Sequence, residues 1–143
     1  MKRIVVDASA TLKWIFEDEE DANFALNLLN DVAGGSLELL SPSLWLYEMA
    51  NGIRSAILRK RINEAKGGKL LSIVLRLTPE TFDFSPLVTK SLEIANKFGT
   101  SVYDASYIAL AAVEEVEFYT GDKTLYQKTS ELKFVKTISQ YLS

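Results

Sequence analysis

Ile4-Val5-Val6-Asp7-Ala8-Ser9 is the stretch that decides the fold. Its first three residues form an unalternating β-branched run, the pattern of a short strand buried on both faces. Such strands belong to parallel sheets covered by helices. The run ends on a carboxylate, and open α/β sheets bind ligands beyond the carboxyl ends of their strands. Asp7 therefore stands where a site would form.

Outward from Asp7 the chain alternates between helical and strand patterns. Leu12, Ile15 and Phe16 follow a helical period over residues 10–16. A second helix is expected from residue 19 or 20 to about 32, with Ala22, Ala25, Leu26, Leu29 and Val32 inward. Its acidic first turn would complement the helix dipole, and Gly34-Gly35 would end it. Residues 38–40 read as a strand. Pro42 marks entry to a helix over 43–60, and a further helix covers 63–77, with Gly67-Gly68 as a possible interruption. A weak strand at 81–84 leads at Pro86 into a helix that Gly99 stops. A helix over 103–114, a strand at 116–119, a short helix at 122–128 and a strand at 134–137 complete the chain. This alternation implies an α/β fold with a parallel sheet covered on both faces. No repeat or linker divides residues 1–143, so one domain is expected.

Composition removes most catalytic chemistries. The chain has no Cys, which excludes disulfides, thiolate nucleophiles and Cys-ligated zinc, and no His, the commonest general base. Serine triads of the usual type are excluded with it. Hydrophobic residues make up 48% and charged residues 24%, an ordinary globular balance. The formal charge is −3, too small for bulk attraction to nucleic acid or membrane, but it is segregated: the acidic run 17–21 contributes −5, leaving +2 elsewhere. No apolar stretch approaches the roughly 20 residues that span a bilayer, and three apolar residues before Asp7 are too few for a signal peptide. A cytoplasmic protein is expected.

Four carboxylates recur at equivalent places. Asp7 follows the first strand, Glu48 lies early in the helix after the second, Asp104 opens an Ala-rich helix, and Asp122 follows the strand at 116–119. Each has an ordinary explanation taken singly. Ser101 and Asp104 have capping-box spacing, Asp122 suits an N-cap, Asp7 could turn the chain, and Glu48 could be solvated. Parallel topology makes them converge, however. Glu48, Asn51 and Ser55 also share a helix face. Carboxylates gathered in that way raise one another's pKa unless a cation neutralises them. Oxygen-ligated Mg²⁺ or Mn²⁺ is the simplest neutraliser.

With Glu48-Met49-Ala50-Asn51, the stretch Tyr103-Asp104-Ala105-Ser106-Tyr107-Ile108-Ala109-Leu110-Ala111, and Thr120-Gly121-Asp122, the opening segment resembles PIN-domain proteins. Within that family the chain is most similar to VapC-type toxins of toxin–antitoxin pairs, which also resemble it in Trp14 followed by acids. The resemblance implies a three-layer α/β/α fold with a central parallel sheet of about five strands. It implies a metal-dependent ribonuclease that hydrolyses RNA with a metal-activated water and is held by a VapB-like antitoxin, usually as a homodimer. By position, Asp7, Glu48, Asp104 and Asp122 would hold Mg²⁺ or Mn²⁺, with Ser9, Asn51 and Thr120 in support.

Between residues 54 and 76, seven cations face one acid, Glu64. Arg54, Arg59, Lys60 and Arg61 are candidates for contacting RNA phosphates, against the alternative of a solvated helix-pair face. The acidic run offers a second contact, for a basic antitoxin segment. Leu44-Trp45-Leu46-Tyr47 cannot all point inward from one helix, so one of them should meet another element or a partner. Other acid-bearing α/β domains fit less well. A receiver-like domain needs an adjacent acidic pair after the first strand, and a haloacid-dehalogenase-type phosphatase needs Asp-x-Asp, where Asp7-Ala8-Ser9 ends in Ser. The alternative that survives is a catalytically silent PIN-like module that binds RNA or protein.

Overall fold

A computed structural model describes residues 1–142. Five strands form one parallel sheet: β1 (Lys2–Val6), β2 (Leu37–Pro42), β3 (Glu80–Phe82), β4 (Glu117–Thr120) and β5 (Val135–Thr137). Their order is β3-β2-β1-β4-β5. The chain steps outward from β1 to β3, then crosses back to β4 and β5. The carboxyl ends of β1 and β4 therefore flank the point where strand order reverses, the place where such sheets leave a crevice. Ile4, Val5 and Val6 are all fully buried. Successive strand residues point to opposite faces, so layers must cover both sides of β1.

Seven α-helices among the described residues supply those layers: α1 (Ala8–Thr11), α2 (Ala22–Ala33), α3 (Trp45–Leu58), α4 (Glu64–Arg76), α5 (Ser85–Phe98), α6 (Val102–Glu114) and α7 (Lys123–Lys128). α6 lies across β1, β2 and β4 with α5 packed on it, and α3 packs on α4. Every residue of α6 from Ala105 to Ala111 is buried, and the Tyr107 ring stacks on Phe118 of β4 with centroids 6.0 Å apart. Trp45 of α3 is fully buried beside Trp14, and its indole N–H donates to Thr11 Oγ1 at 3.0 Å, tying α3 to α1. Of the bulky run 44–47, Trp45 is thus the core residue and Tyr47 is 81% exposed.

At the amino edge of the sheet, Arg3 answers three acids at once. Glu38 lies at 3.5 Å, Glu80 at 3.8 Å and Glu114 at 3.4 Å. Among the described residues no cation forms a salt bridge with Asp7, Glu48, Asp104 or Asp122 at the carboxyl edge.

Several expectations shift. The first helix starts at Ala8, two residues early, and tightens to a 3-10 turn over Leu12–Trp14. The acidic run is not the first turn of α2. The helix begins at Ala22, and residues 17–21 form turns closed by ion pairs from three other segments. Arg61 reaches Asp18 at 3.1 Å and Glu19 at 3.4 Å, Lys13 reaches Glu19 at 3.9 Å, and Lys123 reaches Glu20 at 2.9 Å. Long-range charge pairing, not the local dipole, places this run. On α2 it is Leu28, rather than Leu26 or Leu29, that is fully buried alongside Ala22 and Ala25.

Gly67 and Gly68 do not interrupt α4. Gly67 is buried, and a Cβ there would lie 2.8 Å from Ile57 Cδ1 and 3.2 Å from Ile53 Cγ2, so its bare backbone lets α4 settle on α3. Gly68 faces open space. Opposite signs follow for the two. Gly68→Ala should stabilise the fold by about 0.5–1 kcal/mol through helix propensity. Gly67→Ala should show no gain, because crowding against Ile57 offsets the same propensity. Urea unfolding of both variants checks this, and equal gains would contradict the packing role.

Candidate functional site

Register sets the first contact of the site. Val6 pairs with Tyr119, so Asp7 and Thr120 emerge level on adjacent strands. Thr120 Oγ1 donates to Asp7 Oδ2 at 2.5 Å, while Ser9 Oγ and the Ala10 N–H donate to Oδ1 at 2.6 and 3.1 Å. The network continues outward. Gly121 N–H donates to Ser9 Oγ at 2.8 Å, Asp122 N–H to Thr120 Oγ1 at 3.0 Å, and Leu125 N–H to Asp122 Oδ1 at 3.0 Å. Asp7 and Asp122 do cap helices, but each carboxylate keeps acceptor capacity beyond its cap. The Gly121 position permits this closeness, since a Cβ would lie 2.6 Å from the Ser9 carbonyl oxygen.

Helices bring the other two acids. Glu48 lies in the first turn of α3 and Asp104 in the first turn of α6, where the helix dipoles favour negative charge. Ser101 Oγ caps α6 by accepting the Asp104 N–H at 3.0 Å. Glu48 is held from across the site: Tyr107 Oη donates to its Oε1 at 2.5 Å. Tyr107 was not among the residues singled out from sequence. Its position three residues after Asp104 puts it on the same helix face, which is the signal that could have found it.

Electrostatics couple these groups. Burial pushes the Asp7 carboxyl up from 3.8 to about 6 against the hydrogen bonds from Ser9, Thr120 and Ala10, and Asp104 raises it further. Burial raises Glu48 as well, opposed by the Tyr107 hydrogen bond and reinforced by Asp7 and Asp104. Burial raises Asp104, with Asp122 adding to it and Ser101 and Lys128 working against it. The Tyr107 phenol is pushed upward by burial and by Glu48, so it stays a donor. Among the described residues no Lys or Arg forms a salt bridge with any of the four acids. Equally, no three acidic side chains among those residues form a ready-made cation cage. Mg²⁺ uses only one or two carboxylates directly and keeps several waters, so it needs no such cage. The all-oxygen donor set fits such an ion.

The remaining candidates divide. Asn51 is exposed and lines a cleft of about 550 Å³ with Ser9, Glu48 and Ser55, while Thr120 is fully buried beneath Asp7. Arg54, Arg59 and Lys60 are exposed. Arg61 is engaged by Asp18 and Glu19 and lies over the Phe16 ring, 4.7 Å from its centroid. Arg61 is exposed as well, with its guanidinium engaged in these ion pairs.

Residues 4–131 match the PIN domain. The chain belongs to the PIN-domain family. Two similar proteins, the VapC ribonuclease Mb0985 of Mycobacterium bovis and ribonuclease VapC9 of Mycobacterium tuberculosis, are each 32% identical to this PIN domain over 122 residues. Each alignment covers 85% of this chain and 87% of the relative. The crystal structure of PAE2754 from Pyrobaculum aerophilum superposes with a TM-score of 0.67 at 25% identity, over 96% of this chain and 92% of that one. The expected three-layer fold with a five-stranded parallel sheet is thereby met.

Asp7 gives this PIN domain a measurable pH signature. Its folded pKa of about 6 lies above the ordinary 3.8, so the metal-free fold binds the extra proton. Stability from that proton is complete below about pH 4 and is lost as pH rises through 6. The loss is roughly 3 kcal/mol, at about 1.4 kcal/mol per pH unit. Asp7→Asn keeps the Oδ1 acceptor for Ser9 and Ala10 without the charge. In metal-free buffer it should therefore melt several degrees above wild type at pH 7.5 and close to it at pH 4. A constant difference across that range would contradict the buried-charge account.

Proposed function

We infer that this PIN domain is a VapC-type ribonuclease, the toxin of a toxin–antitoxin pair, which hydrolyses RNA phosphodiesters at the site built on Asp7. The observation that carries the reading is the burial of Asp7, Glu48 and Asp104 at the reversal point of the sheet, which pushes each carboxyl upward with a smaller contribution from neighbouring acids. No Lys or Arg among the described residues forms a salt bridge with them. RNA is a polyanion and would be repelled by such a cluster unless a cation sat between them. Mg²⁺ or Mn²⁺ held by Asp7, Glu48, Asp104 and Asp122 would supply that charge, polarise the phosphoryl oxygens and lower the pKa of bound water. The two mycobacterial relatives, both named as VapC ribonucleases, match the chain along most of their length and support this reading.

Each residue then has a task set by its contacts. Asp7 is oriented by Ser9, Ala10 and Thr120, which leave acceptor capacity on Oδ2. Asp122 uses Oδ1 as a helix cap and can turn Oδ2 to the site. Tyr107 takes Oε1 of Glu48 and leaves Oε2 available. Exposed Arg54, Arg59 and Lys60 would track phosphates on the approach, with Arg61 contributing once released from Asp18 and Glu19. A VapB-like antitoxin is the partner this reading implies, with a homodimer of the toxin and a single domain over residues 1–143. No described helix is long and apolar enough to cross a membrane.

Cleavage of a mixed panel of RNAs with Mg²⁺ or Mn²⁺ tests the activity. Wild type should cut, chelation should stop it, and Asp7→Asn and Asp104→Asn should each lower the rate by at least about a hundredfold. Absence of metal-dependent cutting that the variants abolish would leave a silent RNA- or protein-binding module instead. Tyr107→Phe removes one hydroxyl and keeps the ring on Phe118. It should weaken Mn²⁺ binding about 10–100-fold, the usual cost of losing a partner that orients a ligand, while the melting temperature moves little. Unchanged Mn²⁺ affinity would show that Glu48 needs no anchor.

A further inference from the structure

The cleft beside the acids is built for something other than a phosphate. Its lining comes from three places: Ala8, Ser9 and Leu12 around α1, residues of α3 and its approach from Leu44 to Ser55, and Tyr103 at the start of α6. None of the lining residues is cationic, and Glu48 is the one charged group among them. Two tyrosines stand there with most of their surface in solvent, Tyr47 at 81% and Tyr103 at 68% exposed. Exposure on this scale is unusual for aromatic side chains that serve only the core. No side-chain hydrogen bond of Tyr47, Asn51, Ser55 or Tyr103 occurs among the described residues, in contrast to Tyr107 next to them.

The geometry points to a nucleobase subsite: Tyr47 and Tyr103 stack an unpaired base of the RNA strand, and Asn51 and Ser55 meet its polar edge. The inference rests on the nuclease reading for the placement of the strand. Ser9 and Glu48 belong both to the acid cluster and to the cleft, so a base seated here lies next to the phosphate held at Asp7. The chemistry matches each part of a nucleotide. Aromatic faces stack bases of any identity. The Asn51 amide offers both a donor and an acceptor to a base edge, and the Ser55 hydroxyl can do either. Leu12 and Leu44 give apolar lining, and a volume of about 550 Å³ accommodates a base with its ribose. A paired base has its faces covered by its neighbours, so the subsite selects single strands, loops or ends.

Binding, measured apart from cleavage, tests this. The Asp7→Asn protein, which keeps RNA intact, is titrated with a fluorescent single-stranded RNA oligonucleotide and with its duplex. Tyr47→Ala and Tyr103→Ala, added singly to that background, should each weaken single-strand binding by about fivefold to a hundredfold, the range for loss of one stacked base. Phe at either position should restore most of it, and duplex binding should change little. An abasic position walked along the oligonucleotide should weaken binding to the parent at one place and have no such effect on Tyr47→Ala. Both tyrosines are exposed, so the variants should melt with the parent. The subsite is overturned if the Ala variants bind single strands as the parent does, if Phe loses as much as Ala, or if duplex suffers equally. Cleavage by the protein with Asp7 intact is scored separately: cutting with tyrosine-indifferent binding removes the subsite alone, and tyrosine-dependent binding without cutting removes the nuclease alone.

Discussion

The Asp7 carboxylate is held in the interior, 5% exposed, by three hydrogen bonds from two ends of the chain. An ionised carboxylate there is costly, and its pKa of about 6 records that cost. Other features of the site follow from accommodating it. Parallel pairing of β1 with β4 sets Thr120 level with it, α1 aims the Ala10 N–H at it, and Gly121 allows the turn after β4 to close over Ser9. The amino edge of the sheet makes the contrast plain. There Arg3 neutralises three acids within the protein, whereas no Lys or Arg among the described residues forms a salt bridge with the four acids of the carboxyl edge. That asymmetry separates a structural ion-pair network from a site.

Two kinds of contact divide the account between framework and function. Phe118 beneath Tyr107, and Trp45 beside Trp14, fix α6 and α3 to the core. The same helices then present Asp104 and Glu48 from their first turns and carry Tyr103 and Tyr47 at the rim. Acids deep in the crevice and aromatics at its mouth suit a substrate with an anionic backbone and flat bases. The ion pairs of Asp18 and Glu19 with Arg61 are exposed and individually weak, so RNA phosphate could compete for Arg61 at little cost.

What could be read in the sequence was whatever depends on neighbours along the chain. The unalternating strand at Ile4-Val5-Val6, the strand read at 116–119, the caps at Ser101 and Asp122, and the order of helices and strands all appear in the structure. The placement of Asp7 and Asp122 just beyond β1 and β4, and of Glu48 and Asp104 in the first turns of α3 and α6, was legible because it follows from the order of strands and helices; their joint role is proposed. What was missed depends on partners far apart in sequence. Tyr107 acts on a residue 59 positions away, and the acidic run 17–21 is placed by Arg61 and Lys123 rather than by the helix it precedes. Gly67 looked like a break because only the packing of Ile53 and Ile57 shows why a side chain is unwelcome there.

The central claim is that Asp7 and its neighbours share a divalent cation. Anomalous diffraction from crystals grown with Mn²⁺ tests it most directly. The account predicts a peak about 2.0–2.2 Å from an Asp7 oxygen, with Glu48, Asp104 or Asp122 completing the shell directly or through water. A fully occupied Mn²⁺ elsewhere, or none at Asp7 at saturating metal and neutral pH, would contradict it.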